Sequence, residues 1–340
     1  MQGPTSGQVS WMRSLGSTVT SGPVVGSDGS IVVATNAGVL YALDPVTGSV
    51  RWKFDGGGAL GTSDLSTSAA VLSGGTVVWP GPGSKLFALD SSGKQLWSIG
   101  FAATLLSPVI ASPSKVYVED VDGNLSAVQV TPTSGKVLWT VALGGSAGSS
   151  FGSPAIGTNG TIYTTVGHDA VAIVDAGDHG QVLWRYSVSA AIEVSPAVGP
   201  DGTVVVGTND RYQYGLSPKG QLLWKVQRQR ETYSSTAVTA DGLAYYGDNA
   251  GNVYVTNATK GVPVVRYSGM GGQIWSTPVI DSGHDAYFGT QLGHIFGYRY
   301  DGTRLFDINA HGPIDSYPAL TADGTLIVGT EKGSIYAIKR

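Results

Sequence analysis

The chain has 340 residues, of which 41% are hydrophobic and only 13% charged; it carries 50 glycines, no cysteine and a formal net charge of −4. That apolar share excludes a disordered chain, the missing cysteines exclude a disulfide framework, and the acidic balance without a basic run excludes an electrostatic nucleic-acid binder. No stretch approaches the ~18 consecutive apolar residues of a membrane-spanning helix.

The opening Met1-Gln-Gly-Pro-Thr-Ser6 has neither a charged start nor an apolar core, so no signal peptide is expected there. Gly7-Gln-Val-Ser-Trp11 reads as the last strand of a unit whose beginning is missing. Two short apolar runs follow, Ser21-Gly-Pro-Val-Val25 and Gly29-Ser-Ile-Val-Val-Ala34, joined through Asp28-Gly29, a dipeptide suited to the positive φ of a hairpin turn. Tyr41-Ala-Leu-Asp-Pro-Val-Thr-Gly-Ser-Val-Arg-Trp52 then gives a strand, a tight turn and a second strand ending on a large aromatic.

This unit returns through the chain, with a turn glycine four residues before an anchor at nearly every return. The anchors are Trp11, Trp52, Trp97, Trp139, Trp184, Trp224, Val265 and Phe306, spaced 40 to 45 residues apart. Ser334-Ile-Tyr-Ala-Ile-Lys-Arg340 is only the first half of the outer hairpin, and the distance from Phe306 around to Trp11 equals one more repeat. The expected fold is therefore all-β: one domain over residues 1–340, an eight-bladed β-propeller of four-stranded antiparallel blades. Residues 7–13 complete the eighth blade and remove the open edges of a linear array.

Ala42-Leu-Asp-Pro-Val-Thr-Gly-Ser-Val-Arg-Trp52 resembles the tryptophan-docking motif of the pyrroloquinoline quinone (PQQ) repeat superfamily, whose members are eight-bladed propellers. The resemblance runs through essentially the whole chain. It implies that Trp11, Trp52, Trp97, Trp139, Trp184 and Trp224 pack between neighbouring blades as structural residues. The superfamily holds alcohol dehydrogenases with the quinone in the channel, and non-enzymatic members such as the propeller lipoprotein of outer-membrane assembly. Without cysteine the adjacent-cysteine ring of many of those dehydrogenases is impossible here, and the chain lacks their long insertions. The resemblance thus points to the non-enzymatic members, to no cofactor, and to a periplasmic, cell-envelope or secreted location.

In a four-stranded blade the turns between second and third strands share a face with the connections from one blade to the next. The opposite face carries stereotyped Asp-Gly, Thr-Gly and Ser-Gly hairpins, so the first face, where the units diverge, is the expected interaction surface. Charges, histidines and stray aromatics concentrate on it in blades five to eight. The ligand-binding candidates there are Glu193, Arg211, Arg230, Glu231, Tyr233, Trp275, His294, His311 and Asp315. Arg228, Arg230 and Glu231 suit a carboxylate or phosphate, or else a solvated loop. His168, His294 and His311 have the chemistry of bases or metal ligands but lack a ligand-spaced partner and default to the surface. Trp79 and Trp275, outside the docking position, suit either ligand stacking or a core cap. Asp120-Val-Asp-Gly123 and Asp248-Asn249 echo a calcium loop without its terminal glutamate, and read as turns.

The expected function is a non-catalytic binding or scaffold module, a monomer holding a protein, peptide, carbohydrate or other small ligand on the variable face. The alternative is an enzyme at the channel mouth. One form is a polysaccharide lyase or hydrolase drawing on Glu193, Arg230, Tyr233, His294 and His311; the other is a reduced PQQ-dependent dehydrogenase with calcium.

Overall fold

The computed structural model describes residues 1–60, 67–144 and 152–340. The connections at 60–64 and 144–152, two of the divergent segments, fall largely outside the described residues. Among these residues every regular element is a strand, and the strands form eight four-stranded antiparallel sheets. No helix among them is long and apolar enough to cross a membrane.

Blade 1 shows the pattern, running outward from the axis through Val24–Val25, Ile31–Thr35, Val39–Leu43 and Val50–Asp55. Ile31–Thr35 is buried throughout because neighbouring blades cover both its faces, so it reads as a continuous apolar β-branched run. Val50–Asp55 faces a neighbour on one side and solvent on the other, and its exposure alternates. The short inner strands of successive blades lie against one another around the axis.

Blade 8 is closed as the spacing predicts. Val9–Ser14 pairs with Ser334–Ile338 in the register Trp11 to Ala337 and Arg13 to Ile335, and forms the outer strand of the sheet begun by Ala319–Leu320. The residues before it add a clasp that the sequence did not suggest. Met1 O accepts the Ser282 amide at 2.7 Å, the Gly3 amide donates to Asp281 Oδ2 at 2.8 Å, and the Tyr287 hydroxyl donates to Pro4 O at 3.1 Å. Gly324, at φ 87°, lies so close beneath this segment that a Cβ there would stand 2.1 Å from Gln2 O.

The anchor tryptophans dock as the repeat implied, and the glycine four residues before each anchor proves to be more than a turn residue. Each indole lies over the corresponding glycine of the following blade, Trp11 on Gly48, Trp52 on Gly93, and so on to Trp224 on Gly261; a Cβ on any of these six glycines would fall 2.4 to 2.7 Å from the ring. Five of the six indole N–H groups donate to a carbonyl in that turn, as Trp11 does to Pro45 O at 3.0 Å. Trp139 donates instead to Asp175 Oδ1 at 2.9 Å. Where Phe306 replaces tryptophan, its ring lies over Gly297 of its own blade, and Gly7 from the far end of the chain meets Ile308 and the Phe306 Cβ instead.

Trp79 belongs to the core. It is fully buried in the second strand of blade 2, stacked on Phe87 at 5.8 Å and edge-on to Phe54 at 6.4 Å.

One core position carries a titratable misfit. Glu119 ends Lys115–Glu119 in blade 3, where blades 5 to 8 have Gly207, Gly247, Gly289 and Gly329. It is fully buried; Oε2 accepts the Thr164 hydroxyl of blade 4 while Oε1 has no partner. Burial pushes its carboxyl up from 4.5 to about 8. Between those values the unfolded chain has released its proton and the folded chain has not, so stability falls as pH rises through that interval and levels off above it. Glu119→Gln should flatten the slope and gain on the order of 2–4 kcal/mol at pH 8. Urea midpoints at pH 5 and pH 8 check this; an identical pH slope in the variant would contradict it.

Candidate functional site

The divergent face brings together part of the candidate set at the channel mouth. The segments entering the inner strands of blades 5 to 8 carry Glu193, Tyr233, Trp275 and Asp315 at equivalent positions. Tyr233 and Trp275 meet edge to face, with ring centroids 5.0 Å apart and planes at 65°. The Trp275 indole N–H donates to Asn249 Oδ1 at 3.0 Å, and Asn249 Nδ2 donates in turn to Glu231 Oε1 at 3.4 Å. Asn249 is held over this group because its backbone N–H donates to Glu231 O at 3.0 Å.

The same amide-to-acid pairing recurs on either side. Asn209 Nδ2 donates to Glu193 Oε2 at 2.7 Å, and Gln291 Nε2 donates to Asp315. These amides, rather than the charges, organise the rim. Their signal is visible in hindsight as Gly207-Thr-Asn209, Gly247-Asp-Asn249 and Gly289-Thr-Gln291, one residue after each second strand turns. Burial raises the Tyr233 hydroxyl above the ordinary range, and the Glu193 and Glu231 carboxylates add to the shift.

Among the remaining candidates Arg230 and Arg211 lie near Glu231, whose carboxyl is held below its ordinary range by backbone hydrogen bonding and, more weakly, by those two guanidinium charges. Arg211 and Arg230 are exposed, Arg211 at φ 70° with its carbonyl accepting the Arg228 amide at 2.7 Å. Arg228 turns inward instead: only 2% exposed, it donates to Gln213 Oε1 at 2.6 Å and to Thr208 O at 2.5 Å, and burial lowers it to about 10. His294 stands at the start of the third strand of blade 7, 2.6 Å from Asp307 on the outer strand and stacked on Phe296. His311 is exposed at φ 58°. Asp120 and Asp248 each accept amides from their own turns, as the turn reading expects.

Below the rim the channel is crossed by a side chain that sequence reasoning passed over. At the next level inward, seven blades carry a hydroxyl, from Ser68 through Thr277 to Tyr317, and blade 1 has Gly22. Amides of Ser68, Ser153 and Ser195 donate to the hydroxyl of the same position one blade on, at 2.8 to 3.0 Å. Tyr317 starts in blade 8 against Gly22, where a Cβ would stand 3.1 Å from its own, and its hydroxyl reaches Ser235 in blade 6. A planar quinone in the channel would have to displace that ring. No group of three or more His, Asp or Glu side chains among the described residues is placed to hold a metal. What it presents on the divergent face is an aromatic pair with side-chain amides and carboxylates beside it, a set suited to recognition.

Comparison with known proteins agrees with this architecture. The chain is 27% identical over 346 residues to the outer membrane protein assembly factor BamB of Salmonella typhimurium, covering 92% of this chain and 83% of that protein. It is 24% identical to the Yersinia pestis protein of the same name, over 73% of this chain but only 64% of that protein. Among solved structures, BamB from Moraxella catarrhalis superposes with a TM-score of 0.79 at 16% identity, covering 98% of this chain and 99% of that one. The computationally designed Ika8 protein superposes at 0.81 and 18% identity, covering 96% and 98%. At those identities the two structures speak for the fold alone. The family model described as outer membrane protein assembly factor BamB matches residues 2–63, 55–131 and 128–340. The chain belongs to that family, within the PQQ-like repeat propellers that its tryptophan spacing resembles.

Proposed function

We propose that this protein is a non-catalytic scaffold of the cell envelope that holds a partner protein or peptide in the mouth formed by blades 5 to 8. The observation that carries the reading is the Tyr233–Trp275 pair, oriented by Asn249 and flanked by Glu231, Glu193 and Asp315 at the open end of a channel that Tyr317 crosses. Half-buried aromatic rings offer large contact area at low cost in side-chain entropy, and the amides and carboxylates around them give direction to a peptide. The outer-membrane assembly role in the names of the relatives is consistent with an envelope location and a protein partner. For an acid–base reaction at the mouth, His294 is already engaged by Asp307 and Phe296 of its own blade and His311 stands in a turn at φ 58°.

The test is a photo-crosslinking amino acid placed at position 275, with a control at Ser91 on the opposite face, in cells that make the protein. One partner adduct is expected from position 275 and none from position 91, and Tyr233→Ala should reduce the adduct at least fivefold. Equal crosslinking from both faces, or turnover of a uronate polymer or of alcohols with added PQQ and calcium, would overturn the reading.

A further inference from the structure

On the face of the stereotyped hairpins, the junction of blades 6 and 7 departs from the docking pattern. Val265 holds the anchor position of blade 6, and Tyr267, two residues on, reaches the seat instead, its Cδ1 3.9 Å from where a Cβ of Gly302 would stand. The Tyr267 ring is stacked on Tyr298 with centroids 5.2 Å apart, and the residue is only 2% exposed. Five docking indoles give their N–H to a carbonyl of the facing turn, whereas the Tyr267 hydroxyl is buried without a hydrogen-bond partner. A buried hydroxyl left so is costly and calls for an explanation.

The nearest charge to that hydroxyl belongs to Asp285, which after burial does most to raise the Tyr267 phenol. Asp285 is half-buried at the end of the turn between the first two strands of blade 7. Its Oδ1 accepts the Tyr300 amide at 3.3 Å; among the described residues its Oδ2 accepts no hydrogen bond and the carboxylate forms no ion pair. The residues beside it carry rings. Tyr300 is exposed, its ring 5.6 Å from that of His284, which Asp241 of blade 6 holds at 3.0 Å. Tyr245 closes the inner side, its hydroxyl donating to His284 O at 3.2 Å.

The charge at this corner is one-sided. Burial and the Asp281 carboxylate raise the Asp285 carboxyl above its ordinary range, Asp301 adds to the repulsion, and Arg299 offsets it only in part. A cation against Asp285 would relieve this arrangement. No group of three His, Asp or Glu side chains among the described residues is placed to hold a metal ion, so the cation that fits brings its own N–H donors and an apolar stem for the rings. We propose that this corner, on the face opposite the channel mouth, binds an alkylammonium group. The ammonium donates to Asp285 Oδ2, the Tyr267 hydroxyl is a further acceptor on its buried side, and Tyr300 and His284 flank its stem. A free amine and a partner's lysine side chain carry the same group.

Isothermal titration calorimetry of the full chain tests the proposal. The probes are n-butylammonium, the capped peptide acetyl-Gly-Lys-Gly-amide, uncharged n-butanol, and sodium ion at matched ionic strength. The two ammonium probes are expected to bind and the other two not. Asp285→Asn should weaken binding at least tenfold and Tyr267→Phe and Tyr300→Ala at least threefold each, while Asp90→Asn, the same change in a turn of blade 2, leaves it unaltered. Melting curves check that each variant folds, and Tyr300→Ala, at an exposed position, carries the test should Asp285→Asn not fold. Tighter binding of the peptide supports a partner's lysine as the source, and tighter binding of butylammonium a free amine. Absence of binding by both ammonium probes, equal binding of butanol or sodium, or equal losses in Asp285→Asn and Asp90→Asn would overturn the proposal.

Discussion

Removing residues 1–12 is expected to abolish the cooperative melt of this protein and leave an aggregating species. The deletion takes most of the outer strand from blade 8, so the Ser334–Ile338 edge is left unpaired. It also takes Trp11 from its seat on Gly48, Gly7 from beside Ile308 and Phe306, and the clasp formed at Ser282, Asp281 and Tyr287. A propeller that cannot close keeps two unsatisfied interfaces, and an exposed flat edge recruits other chains. The check is thermal unfolding with light scattering, and then addition of a synthetic peptide of residues 1–14, which should restore a monomeric, cooperatively melting complex. A deleted chain that melts and elutes as the full chain does would refute the closure.

Trp139→Ala is expected to cost about 3–5 kcal/mol, the range for deleting a large core aromatic. Trp139 is only 5% exposed, tilted against Tyr117 at 5.7 Å and seated on Gly180, which leaves no neighbour able to collapse into the gap by a rotamer change alone. Its N–H is also one of four donors to Asp175, with Lys115 Nζ, the Tyr117 hydroxyl and the Gly177 amide at 2.8 Å each. Although burial works the other way, those donors hold Asp175 down at about 2, so the stabilisation they give is present above 3.8 and fades as pH falls toward 2. By contrast Trp275, half-buried at the rim, should cost under about 1.5 kcal/mol when replaced by alanine. Chemical denaturation of both variants separates the two roles. A Trp275→Ala protein as destabilised as Trp139→Ala would make Trp275 a structural residue and remove the main support for the mouth.

Much of the fold was legible because each blade repeats the same local demands. The glycine four residues before an anchor, the Asp-Gly turns and the β-branched second strands each meet a requirement set within a few residues of chain. Gly48 shows where that legibility stops. Its place in a turn is readable from Thr47-Gly48, but its role as the seat of Trp11 joins residues of different blades. Trp79 was ambiguous for the same reason: an indole in Val77–Gly81 faces a core only because Phe54 and Phe87 close over it.

The candidate site was legible as a list of residues and illegible as an arrangement. Glu231, Tyr233 and Trp275 are linked through Asn249 and ring contact, Glu193 and Asp315 pair separately with Asn209 and Gln291, and Arg228, picked out for the same loop as Arg230, points into the protein because Gly207 leaves room for its guanidinium. Asn249 and Tyr317, ordinary in the sequence, hold the aromatic pair and cross the channel.

By itself the sequence determined the number of blades, the strand that closes them and the face on which they differ, since periodicity along a chain is a local property that survives without coordinates. Tertiary structure alone decided which side chains meet between blades and which, like Arg228, turn inward. Those distances depend on the rotations between all eight blades and on the volumes packed at every junction, and no stretch of forty residues contains that sum.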